Sequence, residues 1–163
     1  MKIIKIVFCC TGLILLFSCA GVSHHEKINS QSFQEEITEI SYEQLLSKMK
    51  SGKVVLLIDV REPYEVEEGY INQPDDEGDR LFPKTVTINI PLGELEAKIA
   101  DEHFWKDDLN LPLPSHKTTL VVYCMAGIRS AQAVRLLQEL GYTSVSSYKG
   151  GYREWQEKAA TGK

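Results

Sequence analysis

From Ile37 to Ala159 the chain alternates short, densely apolar runs with stretches whose apolar residues recur every three or four positions. Val54–Val60 (VVLLIDV) is continuously apolar but for one acid, the pattern of a strand buried on both faces. Thr118–Tyr123 (TTLVVY) has the same character, and Ile37–Ile40, Val86–Ile90 and Val145–Tyr148 are shorter β-like runs. Between them the period changes. Ser41 is placed to cap a helix running through Lys50, with Leu45, Leu46 and Met49 on one face and Ser51-Gly52 ending it. Pro63 suits the first turn of a short helix through Glu68, stopped by Gly69. Leu92, Leu95, Ala97, Ile99 and Ala100 mark a helix after Pro91. Ser130–Leu140 is amphipathic, with Val134, Leu137 and Leu140 in line, and a last helix covers Tyr152–Ala159. Strands alternating with helices predict a mainly parallel sheet covered on both faces. No internal repeat is present.

The N-terminus follows a different pattern. Lys2 and Lys5 precede twelve residues, Ile6–Phe17, that are apolar except at Thr11 and Gly12. A spanning helix needs about 20 apolar residues and a signal-peptide core roughly 7–15, so residues 1–18 are expected to be a signal peptide. Leu16-Phe17-Ser18-Cys19 resembles a bacterial lipobox, which implies lipidation of Cys19 and a membrane anchor facing the periplasm. The alternative is a small-x-small site at Ser18-Cys19-Ala20 that releases a soluble periplasmic protein. Residues 19–36 read as a polar tether whose His24-His25 pair is solvated, and residues 37–160 as one domain.

At 163 residues, with 43% apolar and 25% charged side chains, the chain has room for one domain and is no disordered or low-complexity polymer. The net charge is −5, and removal of residues 1–18, with Lys2 and Lys5, takes it to −7. An acidic chain lacks the basic face that a nucleic acid partner requires. Of four cysteines, Cys9 and Cys10 lie in the apolar run and Cys19 at the processing site, so Cys124 is the one thiol left in the domain and an internal disulfide framework is excluded.

Cys124 stands at the end of a predicted strand and before a predicted helix, where parallel sheets place their ligands. The residues that follow, Met125, Ala126, Gly127, Ile128, Arg129 and Ser130, are suited to an anion-binding turn. Gly127 is free to take positive φ, a curled backbone turns N–H groups inward, the helix starting at Ser130 points its positive end at the same place, and Arg129 adds a fixed charge. Such surroundings lower a thiol pKa from about 8.5 to roughly 3.5–7.5, which makes Cys124 a candidate nucleophile.

This segment resembles the active-site loop of the rhodanese family of single-domain sulfurtransferases. Asp59-Val60-Arg61-Glu62-Pro63-Tyr64-Glu65 with Glu68-Gly69-Tyr70-Ile71, Asn89-Ile90-Pro91-Leu92, and the ending from Leu136 through Gly141-Tyr142 to Lys149-Gly150-Gly151-Tyr152-Arg153-Glu154-Trp155 resemble three further motifs of that family, in the same order. The resemblance implies an α/β rhodanese-like fold, a five-stranded parallel sheet flanked by helices on both faces. It implies a persulfide carried on Cys124, a small anionic sulfur donor bound by Arg129 and the loop Met125–Ser130, and a thiol, cyanide or protein acceptor, with no cofactor and no metal. It gives Asp59 and Arg61 structural duties. Cys-based phosphatases and arsenate reductases of related fold have five residues between Cys and Arg; here there are four, which favours sulfur over a phosphate-sized oxyanion. The other alternative is a non-catalytic binding module. Arg129 is the single cation of the loop, which makes the dianion thiosulfate a poorer donor than a polysulfide or persulfide. Tyr70 stands where the family often has His, and residues 72–85 exceed the family's usual connection. The acids Asp75, Asp76, Glu77 and Asp79 lack EF-hand spacing, and a solvated loop held by Leu81, Phe82 and Pro83 is expected there. His103, Phe104 and Trp105 are expected to pack, and His116 to lie on the surface.

Overall fold

A computed structural model describes residues 36–53 and 55–161. The expected signal peptide, Cys19 and the His24-His25 pair lie outside the described residues, as does nearly all of the expected tether. The elements are β1 (Glu39–Ile40), α1 (Tyr42–Lys50), β2 (Val55–Asp59), α2 (Pro63–Val66), β3 (Thr85–Asn89), a 3₁₀ turn (Leu92–Glu94) running into α3 (Leu95–Ile99), a π-helical turn (Phe104–Asp108), β4 (Leu120–Tyr123), α4 (Ile128–Glu139), β5 (Val145–Tyr148) and α5 (Gly151–Thr161). The strands form one sheet in the order β1-β5-β4-β2-β3, with every pair parallel. The chain adds β3 on one side of β2 and then crosses to lay β4 on the other. The carboxyl ends of β2 and β4 therefore flank the point where the strand order reverses, where such sheets bind ligands.

The strand pleat divides the core in two. Leu56, Ile58, Leu120 and Val122 face α3 and α4, meeting Leu95, Ile99, Ala133, Val134 and Leu137. Val55, Leu57, Val121 and Tyr123 face α1 and α5, meeting Leu45, Met49 and Tyr152. All five β2 residues are buried, which is why the segment reads as an unbroken apolar run and not as an alternation. α1 starts on a reciprocal capping box: Gln44 N–H donates to Ser41 Oγ at 3.3 Å and Ser41 N–H donates to Gln44 Oε1 at 2.8 Å. Among the described residues no helix is long and apolar enough to cross a membrane.

Several boundaries differ from expectation for physical reasons. β1 is only two residues long because it pairs with β5 alone, while Ile37 turns aside to pack on the α3/α4 layer. α2 ends at Val66, not Glu68; the Arg61 guanidinium takes the carbonyls of Glu65 at 2.9 Å and Gly69 at 2.7 Å, drawing the chain out of helical register. The π-helical turn has no counterpart in the sequence pattern. It seats Trp105, 1% exposed, where the indole N–H donates to the carbonyls of Lys98 and Ile99 at the end of α3. Phe104 is partly buried on the same layer, whereas His103 is exposed, against expectation, within 3.6 Å of Asp107 and 3.9 Å of Asp108. His116 lies on the surface with its ring edge against Tyr142.

In the 72–85 connection, Phe82 alone of the three expected anchors is buried; Leu81 is 75% exposed and Pro83 is exposed too. The second anchor is polar. Asn72 is buried at φ 61°, donating to the carbonyls of Phe82 and Thr85 and accepting from Phe82 N–H, all at 3.0 Å. The Asp75 carboxylate is taken up by the N–H groups of Glu77 and Asp79 at 3.1 and 2.8 Å, so this acidic run closes its own turn.

Candidate active site

Cys124 is the first residue after β4, and α4 begins at Ile128, two residues earlier than its apolar periodicity suggests. Met125, Ala126 and Gly127 make the turn between them. Gly127 is the N-cap of α4 at φ 88°, and a Cβ there would collide with the carbonyl of Lys149, so the position excludes every other residue on two counts. Opposite it, Tyr152 N–H donates to Cys124 O at 2.8 Å and Arg153 N–H to Met125 O at 3.2 Å. Gly151, φ 65°, permits that approach, since a Cβ would fall 2.6 Å from Met125 O. The Gly150-Gly151 pair thus fastens the start of α5 to the base of the loop.

The sulfur faces donors. Burial, at 2% exposure, pushes the Cys124 thiol up. The backbone N–H groups of Ser130, Ala126 and Gly127 together with the Ser130 hydroxyl outweigh it, and the thiol lies below its ordinary range. Cys124 Sγ is 3.9 Å from Ser130 Oγ. Ser130 Oγ in turn donates to Gly127 O at 3.0 Å and lies 2.8 Å from Ser147 Oγ. Because the single Ser130 proton is directed at Gly127, Ser147 is the donor of the pair. Both serines are fully buried. When the thiol ionises, the Ser130 proton can turn to sulfur while Ser147 continues to donate to Ser130. Ser147, from β5, carries no sequence signal for this role, since a Ser in a strand reads as ordinary.

Arg129 does not stand free. Its guanidinium meets the Glu65 carboxylate end to end, Nη1 to Oε2 at 2.6 Å and Nη2 to Oε1 at 2.7 Å. The Arg129 contacts hold the Glu65 carboxyl down at about 2 against the cost of burial, and Glu65 and the nearby Cys124 sulfur push Arg129 up. Glu65 Oε2 also accepts Glu62 N–H at 2.9 Å, capping α2. The Glu-x-x-Glu spacing at a Pro-started helix is the signal for that cap, but it does not reveal Arg129 as the partner.

A second buried pair supports the first. Asp59 and Arg61, both fully buried, are 2.6 Å apart, and Arg61 stacks 4.1 Å from the Tyr152 ring centroid. Arg61 spends its remaining donors on the Glu65 and Gly69 carbonyls, fixing the backbone that carries Glu65. Asp59 and Arg61 bind each other, the backbone and the Tyr152 ring, and serve as scaffold.

The expected loop residues therefore divide. Gly127 and Ser130 act directly on the thiol, by backbone and hydroxyl, and Ala126 by its N–H. Met125 sends its side chain to the α1/α5 layer, and Ile128 is 74% exposed at the loop's outer side. The arrangement is an ionisable thiol in a cradle of backbone and hydroxyl donors with the paired Arg129 beside it, suited to nucleophilic attack and to holding a small anionic atom on sulfur.

The profile of the rhodanese-like domain matches residues 41–158. The chain is 34% identical over 121 residues to the thiosulfate:glutathione sulfurtransferase of Homo sapiens, covering 73% of this chain and 93% of that protein. It is 34% identical over 128 residues to the thiosulfate sulfurtransferase/rhodanese-like domain-containing protein 3 of Mus musculus, covering 77% and 73%. The solved structure of the human single-domain sulfurtransferase TSTD1 superposes with a TM-score of 0.61 at 32% identity, covering 76% of this chain and 98% of that one.

Proposed function

The chain belongs to the rhodanese-like domain family, and on that premise we propose that it carries a sulfane sulfur on Cys124 between a donor and a thiophilic acceptor. At family level it is a sulfurtransferase. The Cys124 thiolate attacks the outer sulfur of thiosulfate, a polysulfide or a persulfide. A new S–S bond forms at Cys124, the donor's S–S bond breaks, and the leaving sulfite or thiolate departs with the electron pair. A cyanide, thiol or protein nucleophile then takes the outer sulfur and returns the Cys124 thiolate. The loop N–H groups hold the negative charge throughout, while Arg129, held by Glu65, lies beside them.

The observation that carries this reading is the place of the thiol: Cys124 directly follows β4 and faces the turn capped by Gly127, 3.9 Å from the Ser130 hydroxyl, where three backbone N–H groups favour its ionised form. A binding module that used the fold only for docking would not need such a cradle. Incubation of the purified chain with thiosulfate or polysulfide, followed by intact mass measurement, is expected to show a gain of one sulfur atom that Cys124→Ser abolishes. Absence of the gain with every sulfane donor, alongside specific capture of a partner, would establish the docking module instead.

The pattern of residues 1–19 supports a further part of the proposal, that the domain is exported and held at the periplasmic face of a membrane by a lipid on Cys19. In that setting the acceptor is an exported thiol or a small nucleophile, and the tether gives the domain reach from the membrane surface.

A further inference from the structure

We propose that Glu65 is a positioning residue that sets donor selectivity, clamping and neutralising Arg129 so that the site favours sulfane donors of low negative charge over the dianion thiosulfate. The inference rests on the reading of Cys124 as the sulfur carrier and specifies which donors reach it.

Three observations converge. The bidentate contact of Arg129 with Glu65, at 2.6 and 2.7 Å, occupies both terminal nitrogens of the single cation in the loop. Arg129 still attracts the Cys124 sulfur, but less than it does Glu65, so its charge is shared between the sulfur and a carboxylate of the donor's own sign. Glu65 stays ionised far below neutral pH, so the neutralisation persists under any assay condition near neutrality. The second observation is the segment that carries Glu65. Four of the seven residues from Glu62 to Glu68 are glutamates; Glu67 and Glu68 are exposed and add negative potential beside the loop. The third is that Met125, Ala126 and Ile128 carry no charge, leaving the backbone N–H groups as the loop's own anion donors.

Three other cations lie near this end of the sheet, and the first, Arg61, is buried against Asp59 at 2.6 Å. Lys149 is paired with Glu39 at 2.9 Å. Arg153 donates its backbone N–H to Met125 O and holds an exposed side chain, where water screens its charge. Exposed Glu67 and Glu68 are screened in the same way, so their effect is smaller than that of Glu65. A dianion entering here meets repulsion that a monoanion meets at about half strength, since Coulomb energy scales with the donor's charge.

The clamp also has a geometric role. Arg61 binds the Glu65 carbonyl, Glu65 binds Arg129, and Arg129 lies one residue before Ser130, whose hydroxyl and N–H serve the thiol. Loss of the carboxylate charge with retention of its shape separates the two roles, which is why Glu65→Gln is the informative change: its amide still accepts from Arg129.

The test compares two donors that share the S–S cleavage chemistry and differ by one unit of charge: thiosulfate and an alkanethiosulfonate. With the full chain, single-turnover persulfide formation on Cys124 is followed by mass at fixed ionic strength. Glu65→Gln is expected to raise the second-order loading rate constant for thiosulfate about tenfold, through a lower half-saturating donor concentration, and that for alkanethiosulfonate about threefold. Glu65→Asp keeps the charge and is expected to retain the wild-type ratio of the two donors. Glu67→Gln, an exposed charge that leaves the clamp in place, is expected to shift the same ratio in the same direction by a smaller factor, and it reports the field even where a Glu65 variant folds poorly. An equal fall for both donors in Glu65→Gln, or an unchanged ratio in both Gln variants, overturns the proposal and leaves Glu65 as scaffold. If no donor loads wild-type Cys124 at all, the sulfur-carrier reading falls and takes this one with it, so the two failures are told apart.

Discussion

At the scale of single residues, the chemistry turns on a competition at one sulfur. Burial alone raises a thiol pKa, and Cys124 is nearly as buried as its core neighbours Val122 and Val134. Hydrogen bonding to the charged form wins because the donors are fixed in place by the backbone and need no reorganisation. The Ser130 hydroxyl is the one donor of the set that a side-chain substitution removes. Ser130→Ala is expected to raise the apparent thiol pKa by up to about one unit, with the backbone N–H groups retained. The alkylation rate by iodoacetamide between pH 5 and 10 reads this directly; a superimposable titration in wild type and variant would remove Ser130 from the mechanism. The position of Cys124 at a strand end, the Gly127 turn and the presence of a following helix were legible in the sequence, each being a local property of four or five consecutive residues, although the helix begins at Ile128 and not at Ser130. Ser147 was not, because its role exists only where β5 lies beside the first turn of α4.

At the scale of elements, α2 is too short to be stable alone and is held by what it touches. It has no buried residue of its own. Its attachments are polar: Arg61 to the Glu65 and Gly69 carbonyls, and Glu65 to Arg129 at the first turn of α4. This gives a pH signature whose sign is fixed. Glu65 is lowered from 4.5 to about 2 in the folded protein, so its contribution is complete above about pH 4.5 and is lost as pH falls toward 2. The shift corresponds to at most about 3 kcal/mol at neutral pH. Urea unfolding of wild type and Glu65→Gln is therefore expected to show a stability gap at pH 6 that closes between pH 4.5 and 2. Parallel curves through that window would mean that the ion pair contributes nothing net. The Pro63 helix start was read from the sequence and the Glu62–Glu65 cap was not, although its spacing is local; the span of 64 residues to Arg129 has no local trace.

At the scale of the whole molecule, one parallel sheet places the end of β4 between β2 and β5, so that α2 approaches the loop from one side and α5 from the other. The 72–85 connection is anchored by Asn72 and Phe82 instead of the three apolar residues its composition suggested. A buried amide with three backbone partners stabilises an irregular segment better than exposed Leu81, because it satisfies polar groups that the turn leaves open. The proposed address is also a property of the whole chain. Cells supplied with labelled fatty acid are expected to incorporate the label into the wild-type protein and not into Cys19→Ser. An unlabelled wild-type protein recovered in the periplasm would instead support cleavage after Ala20 and a soluble form.

By itself the sequence determined the alternation of buried strands and amphipathic helices, the glycine at the turn, and the thiol between a strand and a helix, because periodicity and positive-φ demand are written in neighbouring residues. Only the tertiary structure decided which charge meets which. The sheet order brings Glu65 to Arg129 and Ser147 to Ser130, and long-range pairing depends on how elements are laid side by side, about which the spacing of residues along the chain carries no information.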